Sequence, residues 1–234
     1  MVLSEINFSV RQSLGRREDQ EDSYALERLD DGGLLLAVAD GVGGHAAGQV
    51  ASNMAVTGFL EGFHCASENR LEMGLSEANR QVGNAIDEDP GTRQGMATTL
   101  LALCLRGTTL QWVSVGDSPL LLLRYGLLGQ LNDDHSGNSL PGLGISRNLL
   151  LSALTGRPIP ARDLRSDPFE LYRGDTLIAA TDGLLSLPLE ALSQLVSEMG
   201  EAPTREVVNA ILNAVAACGN PKQDNTTVGV IRIP

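Results

Sequence analysis

The order of apolar and polar residues divides this chain into strand-like and helix-like segments. Short apolar or alternating runs predict strands at residues 6–10, 23–29, 34–39, 97–105, 110–115, 120–125, 169–172, 176–181 and 226–233. Longer segments with apolar residues every three or four positions predict helices at residues 46–63, 67–86, 188–199 and 204–218. The chain therefore contains two groups of strands and two pairs of helices, and it closes on a single strand.

Several of the predicted strands are apolar at consecutive positions, which indicates sheets that are covered on both faces. The joins at residues 106–108 and 117–119 are short, so runs 97–105, 110–115 and 120–125 are predicted to form an antiparallel meander. We expect residues 131–168 to be largely irregular, with at most one short strand. Two strand groups with two helix pairs fit the α+β class: a four-layer αββα sandwich of two mainly antiparallel sheets packed face to face, with the helix pairs outside.

Aspartates recur where the predicted strands end. Asp40 ends the apolar run of LLLAVADGVGG, Asp182 ends that of LIAATDGL, and Asp117 follows a strand in VGDS. Asp224 directly precedes the last strand. One such aspartate would be an ordinary acidic turn, but the recurrence favours a shared site at which the glycines let the backbone approach a ligand.

The charged stretch GRREDQED at residues 15–22 allows two interpretations. It is either a solvated loop between two strands or a source of further carboxylates, Glu21 and Asp22, with an arginine for an anion. Clustered carboxylates repel one another, and divalent cations relieve that repulsion. Oxygen ligands without His or Cys select Mg²⁺ or Mn²⁺, and two such ions can drive phosphoryl transfer.

Composition narrows the class of protein. The 234 residues are 42% hydrophobic and 20% charged, which suits one domain over residues 1–234. A net charge of −12 argues against nucleic-acid and anionic-membrane partners. No apolar run approaches the ~20 residues of a membrane span, and no secretory signal is evident at the N-terminus. Three widely spaced cysteines indicate reduced thiols, so we expect a cytoplasmic protein.

The pair His64-Cys65, followed by Arg70, suggests a cysteine-dependent phosphatase as an alternative. The phosphate-wrapping loop of such an enzyme needs five residues between cysteine and arginine, usually including glycines. Here only the four residues ASEN intervene, and none of them is a glycine, so we reject this alternative. A further histidine, His135 in DDHSGN, is expected to be an exposed loop residue and not a metal ligand.

Six motifs together resemble the PPM-type (type 2C) metal-dependent Ser/Thr protein phosphatases in their compact bacterial form. They run in the family's order over nearly the whole chain: GRREDQEDS (15–23), VADGVGGHAAG (38–48), GMATTL (95–100), VGDS (115–118), ATDGL (180–184) and DNTT (224–227). The resemblance implies an αββα fold. It also implies hydrolysis of phosphoserine and phosphothreonine by a metal-bridging hydroxide, in bacterial signalling that opposes a Ser/Thr kinase.

The resemblance also assigns roles to individual residues. Asp40 would bridge two Mn²⁺ or Mg²⁺ ions, with Glu21 and the Gly41 carbonyl completing one shell and Asp182 and Asp224 the other. Asp117 and Asp182 would hold a third, weaker ion. Asp22 would orient metal-bound water and Arg17 would bind the substrate phosphate, while Asn225 is expected to form the turn. The partners implied are a phosphoprotein substrate and a Ser/Thr kinase or its targets, and the chain is expected to be a monomer.

The sequence departs from the family pattern in places. Val42 stands where some members have a histidine proposed as general acid, and the flap segment near 136–146 is shorter than usual. Smaller departures occur at Gln20, Ala97 and Pro119, and none of these changes removes a ligand. Two alternatives on the same fold stay open. One is a catalytically weak regulatory module, and the other is a hydrolase of small phosphate esters, which the short flap leaves possible.

Overall fold

The structure is a computed structural model that describes residues 6–43, 46–139, 146 and 149–234. Its strands are β1 (Asn7–Ser13), β2 (Asp22–Arg28), β3 (Leu34–Val42), β4 (Ala97–Thr98), β5 (Leu100–Arg106), β6 (Thr109–Val115), β7 (Leu120–Arg124), β8 (Leu127–Gln130), β9 (Asp163–Glu170), β10 (Thr176–Ala180) and β11 (Thr226–Arg232). Its helices are α1 (Ala46–Cys65), α2 (Arg70–Glu88), the one-turn α3 (Pro90–Arg93), α4 (Leu189–Glu198) and α5 (Thr204–Ala217).

The strands form two antiparallel sheets. The five-stranded sheet has the order β1-β11-β10-β7-β8, so the last strand of the chain lies between its first strand and β10. The six-stranded sheet has the order β2-β3-β5-β6-β9, and β4 pairs with the end of β3. No helix in the described residues is long and apolar enough to span a bilayer.

Three apolar interfaces separate four layers, which confirms the predicted αββα sandwich. Strand β3 shows why, because its successive side chains point to opposite faces. Leu35, Ala37 and Ala39 pack with the buried faces of α1 and α2, whereas Leu34, Leu36 and Val38 pack between the two sheets. A third cluster joins the five-stranded sheet to α4 and α5.

Four details of the strand prediction were wrong. The strand predicted at 169–172 is β9, which begins six residues earlier, inside the segment expected to be largely irregular. Strand β3 does not end at Asp40 but continues to Val42, because Gly41 and Val42 pair with β4. The predicted strand 97–105 is divided at Thr99 into β4 and β5. Strand β8 was not predicted at all.

The predicted three-strand meander was also wrong. Strands β5 and β6 form a hairpin, but β7 lies in the other sheet, between β10 and β8. The short join at residues 116–119 therefore crosses from one sheet to the other. This crossing brings Asp117 to the same end of the sandwich as the other strand-end aspartates. The predicted short flap lies largely outside the described residues.

Candidate metal centre

The predicted carboxylates converge at one end of the two sheets. Asp22 opens β2 and lies directly opposite Asp40 in the register of β2 and β3. In the facing sheet, Asp182 follows β10 by two residues and Asp224 precedes β11 by two residues. Because these strand ends adjoin, the fold places side chains from opposite ends of the chain around one point.

Asp22 links the two sheets. It is 4% exposed, and its Oδ2 accepts hydrogen bonds from the hydroxyls of Thr181 at 2.8 Å and Thr227 at 2.7 Å. Burial raises the pKa of Asp22 to about 7, and repulsion from Asp182 and Asp224 adds to the rise, while the two hydroxyls oppose it. Its Oδ1 is buried and has no partner among the described residues.

The main chain of Asp40 is held by two threonines from the GMATTL motif. Its N–H donates to Thr99 Oγ1 at 2.9 Å, and its carbonyl accepts from the Thr98 hydroxyl and the Thr99 N–H, each at 2.9 Å. Thr99 Oγ1 also lies 2.9 Å from Ser118 Oγ, next to Asp117. The motif alone assigns no role to these hydroxyls, because their partners lie in other strands and loops.

The carboxylates share a strongly unfavourable environment for negative charge. Burial raises the pKa of Asp40 well above its usual range, with further contributions from Asp182, Asp22 and Asp224. Burial likewise raises the pKa of Asp182, and it raises that of Asp117 to about 7 with help from Asp182 and Asp134. Such a cluster favours binding of protons or of cations.

Glycines allow Glu21 to lie close to the main chain of β3, beside the start of α1. A Cβ atom added at Gly48, at the start of α1, would lie 2.6 Å from Glu21 Oε2 and 2.9 Å from the Gly41 carbonyl oxygen. Both oxygens therefore border the same small space, which only a glycine at position 48 leaves open. Gly41 itself would clash with the Gly48 carbonyl if it carried a Cβ.

Asn225 fastens the charged loop 14–21 to the start of β11. It is 3% exposed, its Oδ1 accepts from the Glu21 N–H at 2.7 Å, and its amide donates to the carbonyls of Leu14 and Asp19. The Asn225 N–H donates to Asp224 Oδ1 at 2.8 Å. Asn225 thus contacts two expected metal ligands, Glu21 through its side chain and Asp224 through its main chain.

His135 is not the exposed loop residue that we predicted. It is 9% exposed, and its Nδ1 accepts a hydrogen bond from the Gly116 N–H at 3.3 Å. The main-chain N–H of His135 donates to the Gly116 carbonyl at 3.0 Å. His135 therefore holds the residue before Asp117, a contact that depends on distant packing and has no local sequence signal.

Arg17 projects from the charged loop onto the carboxylates. Its Nη2 lies 2.5 Å from Asp224 Oδ2, and its side chain is 51% exposed. The arginine is therefore within reach of solvent and of the acidic cluster at once. The planar guanidinium in this position can form paired hydrogen bonds to an oxyanion such as a phosphoryl group.

His64 and Cys65, the pair behind the rejected cysteine-phosphatase alternative, lie away from this centre. His64 and Cys65 lie at the end of α1, where His64 Nε2 pairs with Glu27 Oε2 at 2.7 Å. Strand β2 runs from Asp22 in the centre to Arg28, so Glu27 lies near its far end. None of these three residues lies with the strand-end carboxylates.

Comparison with known proteins identifies the family. The model of the family Stage II sporulation protein E (SpoIIE) matches residues 30–234. The serine/threonine protein phosphatase PstP of Mycobacterium tuberculosis is 32% identical over 252 aligned residues, covering 96% of this chain and 44% of PstP. The serine/threonine phosphatase stp of Listeria monocytogenes is 33% identical over 201 residues, covering 78% of this chain and 79% of that protein.

The chain belongs to the SpoIIE/PPM phosphatase family. Within this family, the crystal structure of the PstP catalytic domain in complex with two manganese ions matches the fold with a TM-score of 0.80. The two chains are 28% identical, and 97% of each is covered. The chain spans less than half the length of PstP.

The residues present fit the family's metal ions by their chemistry. The expected ligands are carboxylate oxygens and one carbonyl, which are hard donors suited to Mn²⁺ and Mg²⁺. Asp22 Oδ1 and Asp182 Oδ1 are buried without partners in the described part of the chain. Within that part, no three His, Cys, Asp or Glu side chains are already arranged to coordinate one ion. Instead, Asp224 pairs with Arg17, and Asp40 lies close enough to Asp182 for Asp182 to raise the pKa of Asp40, so ion binding would displace Arg17 and relieve the repulsion.

Proposed function

We propose that this chain is a manganese-dependent protein phosphatase that hydrolyses phosphoserine and phosphothreonine. One observation carries the proposal: carboxylates from four strand ends meet beside the half-exposed Arg17, and burial and mutual repulsion raise the pKa values of Asp22, Asp40 and Asp182. A site that disfavours its own negative charge is suited to divalent cations, and the adjacent guanidinium is suited to a phosphate. The family relationship supports the same activity.

We assign the ligands as follows. Asp40 would contact both ions, Glu21 and the Gly41 carbonyl would hold one of them, and Asp182 and Asp224 would hold the other. Asp117 and Asp182 would hold a third ion, and Mg²⁺ would replace Mn²⁺ when it is the abundant cation. When bound, such ions supply a nucleophile from water at neutral pH and neutralise charge on the phosphoryl group.

The chain's own residues would bind and orient the substrate. Arg17 would leave Asp224 and form charge-assisted hydrogen bonds to the phosphoryl oxygens. Asp22 would orient water through Oδ1, which has no partner in the described part of the chain, because Thr181 and Thr227 hold its other oxygen. Val42 offers no proton to the leaving alcohol, so solvent would supply it.

The wider assignments follow from the same proposal. The substrate would be a phosphoprotein, and the partner would be a Ser/Thr kinase or its targets. We propose a single catalytic domain over residues 1–234 that acts as a monomer. The cysteines Cys65, Cys104 and Cys218 are free, which supports a cytoplasmic location.

The test is phosphate release from a phosphothreonine peptide by protein that is stripped of metal and then titrated with Mn²⁺ or Mg²⁺. We expect activity only with metal, and its loss in Asp40→Asn and in Asp182→Asn. Full activity in either variant would refute the ligand assignment. A folded, metal-binding protein that is inactive on peptides but active on a small phosphate ester would indicate the metabolite hydrolase. Inactivity on both substrates would indicate the regulatory module.

A further inference from the structure

A groove leads away from the carboxylate cluster along the protein surface. It has a volume of about 430 Å³, and its lining includes Asp117, Asp182 and Asp224 of the cluster. Asp134, Ser136 and Asn138, which follow β8, also line it. Ser186, Asn220 and Lys222 complete the polar lining. A substrate whose phosphate reached the metal centre would extend through this groove.

Lys222 is chemically distinct in this chain. The 17 basic residues comprise 16 arginines and this one lysine. Every other charged residue that lines the groove is an aspartate. Lys222 is exposed, and within the described residues its ammonium group has neither an ion pair nor a hydrogen bond. An unpaired cation facing a groove is available to a ligand.

The backbone at Lys222 is firmly positioned. Its N–H donates to Asn220 Oδ1 at 3.0 Å, and the Gln223 N–H donates to the Asn220 carbonyl at 3.1 Å. The buried side-chain amide of Gln223 donates to the Gly183 carbonyl at 2.9 Å. The main-chain carbonyl of Gln223 accepts from the Arg16 N–H at 2.8 Å. The turn is thereby fixed to the loops that carry Asp182 and Arg17.

We propose that Lys222 determines substrate preference by binding an acidic side chain close to the phosphorylated residue. The inference rests on the proposed phosphatase function. Lys222 lies two residues from Asp224, so their Cα atoms are at most about 7 Å apart. An extended peptide advances about 3.3 Å per residue, so the lysine reaches a side chain only a few positions from the phosphate. Asp134, which also lines the groove, repels acidic side chains, so the preference is confined to peptide positions whose side chain lies nearer to Lys222 than to Asp134.

The test uses phosphothreonine peptides that are identical except for Glu, Gln or Lys at one position between −4 and +4. The readout is the ratio of kcat/KM for the Glu peptide to that for the matched Gln peptide, in saturating Mn²⁺. This ratio cancels differences in folding and metal content between variants. For the wild-type protein we expect a ratio of about two- to fivefold on one side of the phosphothreonine, falling as salt is added.

Charge variants separate recognition from a structural role. Lys222→Ala should bring the ratio to one, Lys222→Glu should favour the Lys peptide, and Lys222→Arg should retain the preference for Glu. Arg173→Ala is the matched control, because it removes an exposed positive charge from the turn before β10, at the opposite end of that strand from Asp182. It should leave the ratio as in the wild type.

Two results would overturn the inference. The first is a wild-type ratio of one at every position. The second is a ratio that persists in Lys222→Ala; if activity on all peptides also falls equally in that variant, the ammonium group contacts the phosphate itself. If the wild type hydrolysed none of the peptides with Mn²⁺, the proposed function would fail and the inference with it.

Discussion

Four aspartates of the centre, Asp22, Asp40, Asp117 and Asp182, are held where their negative charge is unfavourable. Asp22 shows this most clearly, because two threonine hydroxyls satisfy one oxygen while the other is buried without a partner among the described residues. Asp40 faces Asp182, Asp22 and Asp224 together. A residue that serves a bound cation therefore costs stability when no cation is present, a common trade between function and stability.

Replacing Asp40 with asparagine should stabilise the metal-free protein. The amide removes one charge from the cluster while keeping the shape of the side chain, and the main-chain bonds to Thr98 and Thr99 remain. We expect the Tm of metal-free Asp40→Asn to rise by several degrees, measured by thermal denaturation in EDTA. The exposed, unclustered Asp167→Asn is the control. A lower Tm for Asp40→Asn would contradict repulsion within the cluster.

Arg17→Ala should act mainly on substrate binding. Loss of a charge-assisted contact to phosphate should raise KM for a phosphopeptide roughly 10- to 100-fold, with a smaller effect on kcat in saturating Mn²⁺. The control is Arg16→Ala, which removes the same charge from the same loop, since the Arg16 contact to Gln223 involves only its main chain. An unchanged KM in Arg17→Ala would refute the role of Arg17.

At the scale of elements, the loop before β2 depends on β11 for its shape. Asn225→Ala would leave the carbonyls of Leu14 and Asp19 and the N–H of Glu21 without their bonds to this side chain. We expect a loss of about 2–3 kcal/mol in the free energy of unfolding and a weaker affinity for Mn²⁺. Urea unfolding and calorimetric titration measure the two effects.

Asn209→Ala provides the control for that experiment, because Asn209 is an exposed asparagine in the middle of α5. It should change both quantities little. Equal affinity for Mn²⁺ in Asn225→Ala and wild type would show that the loop holds Glu21 without this asparagine.

The sequence predicted most of the elements but not how they pair. Apolar runs and helical periodicity indicated all four long helices and most strands, because these patterns are local. The move of β7 into the second sheet was missed, since a run that is apolar on both faces fits either sheet. The contacts of Thr181 and Thr227 with Asp22, and of His135 with Gly116, join distant segments and leave no local pattern.

At the scale of the whole molecule, Mn²⁺ binding should raise the free energy of unfolding. The carboxylates sit on both sheets of the sandwich, so ions held between them would tie the two sheets together. At a Mn²⁺ concentration 100 times Kd, one site adds about 2.7 kcal/mol. For a chain of this size, that corresponds to a rise in Tm of about 5–10 °C.

Thermal denaturation with increasing Mn²⁺ measures this effect. Asp40→Asn should show little or no rise, because it lacks the carboxylate assigned to both ions. A wild-type Tm that does not respond to Mn²⁺ would mean that the cluster binds no metal in the folded state.

The central claim is that the strand-end carboxylates hold the metal ions. The most direct measurement is anomalous scattering from a crystal of this protein grown or soaked with Mn²⁺. We predict two strong peaks beside Asp40, one near Glu21 and the Gly41 carbonyl, and one near Asp182 and Asp224. Peaks located elsewhere, or none beside Asp40 in a protein that shows Mn²⁺-dependent activity, would contradict the account.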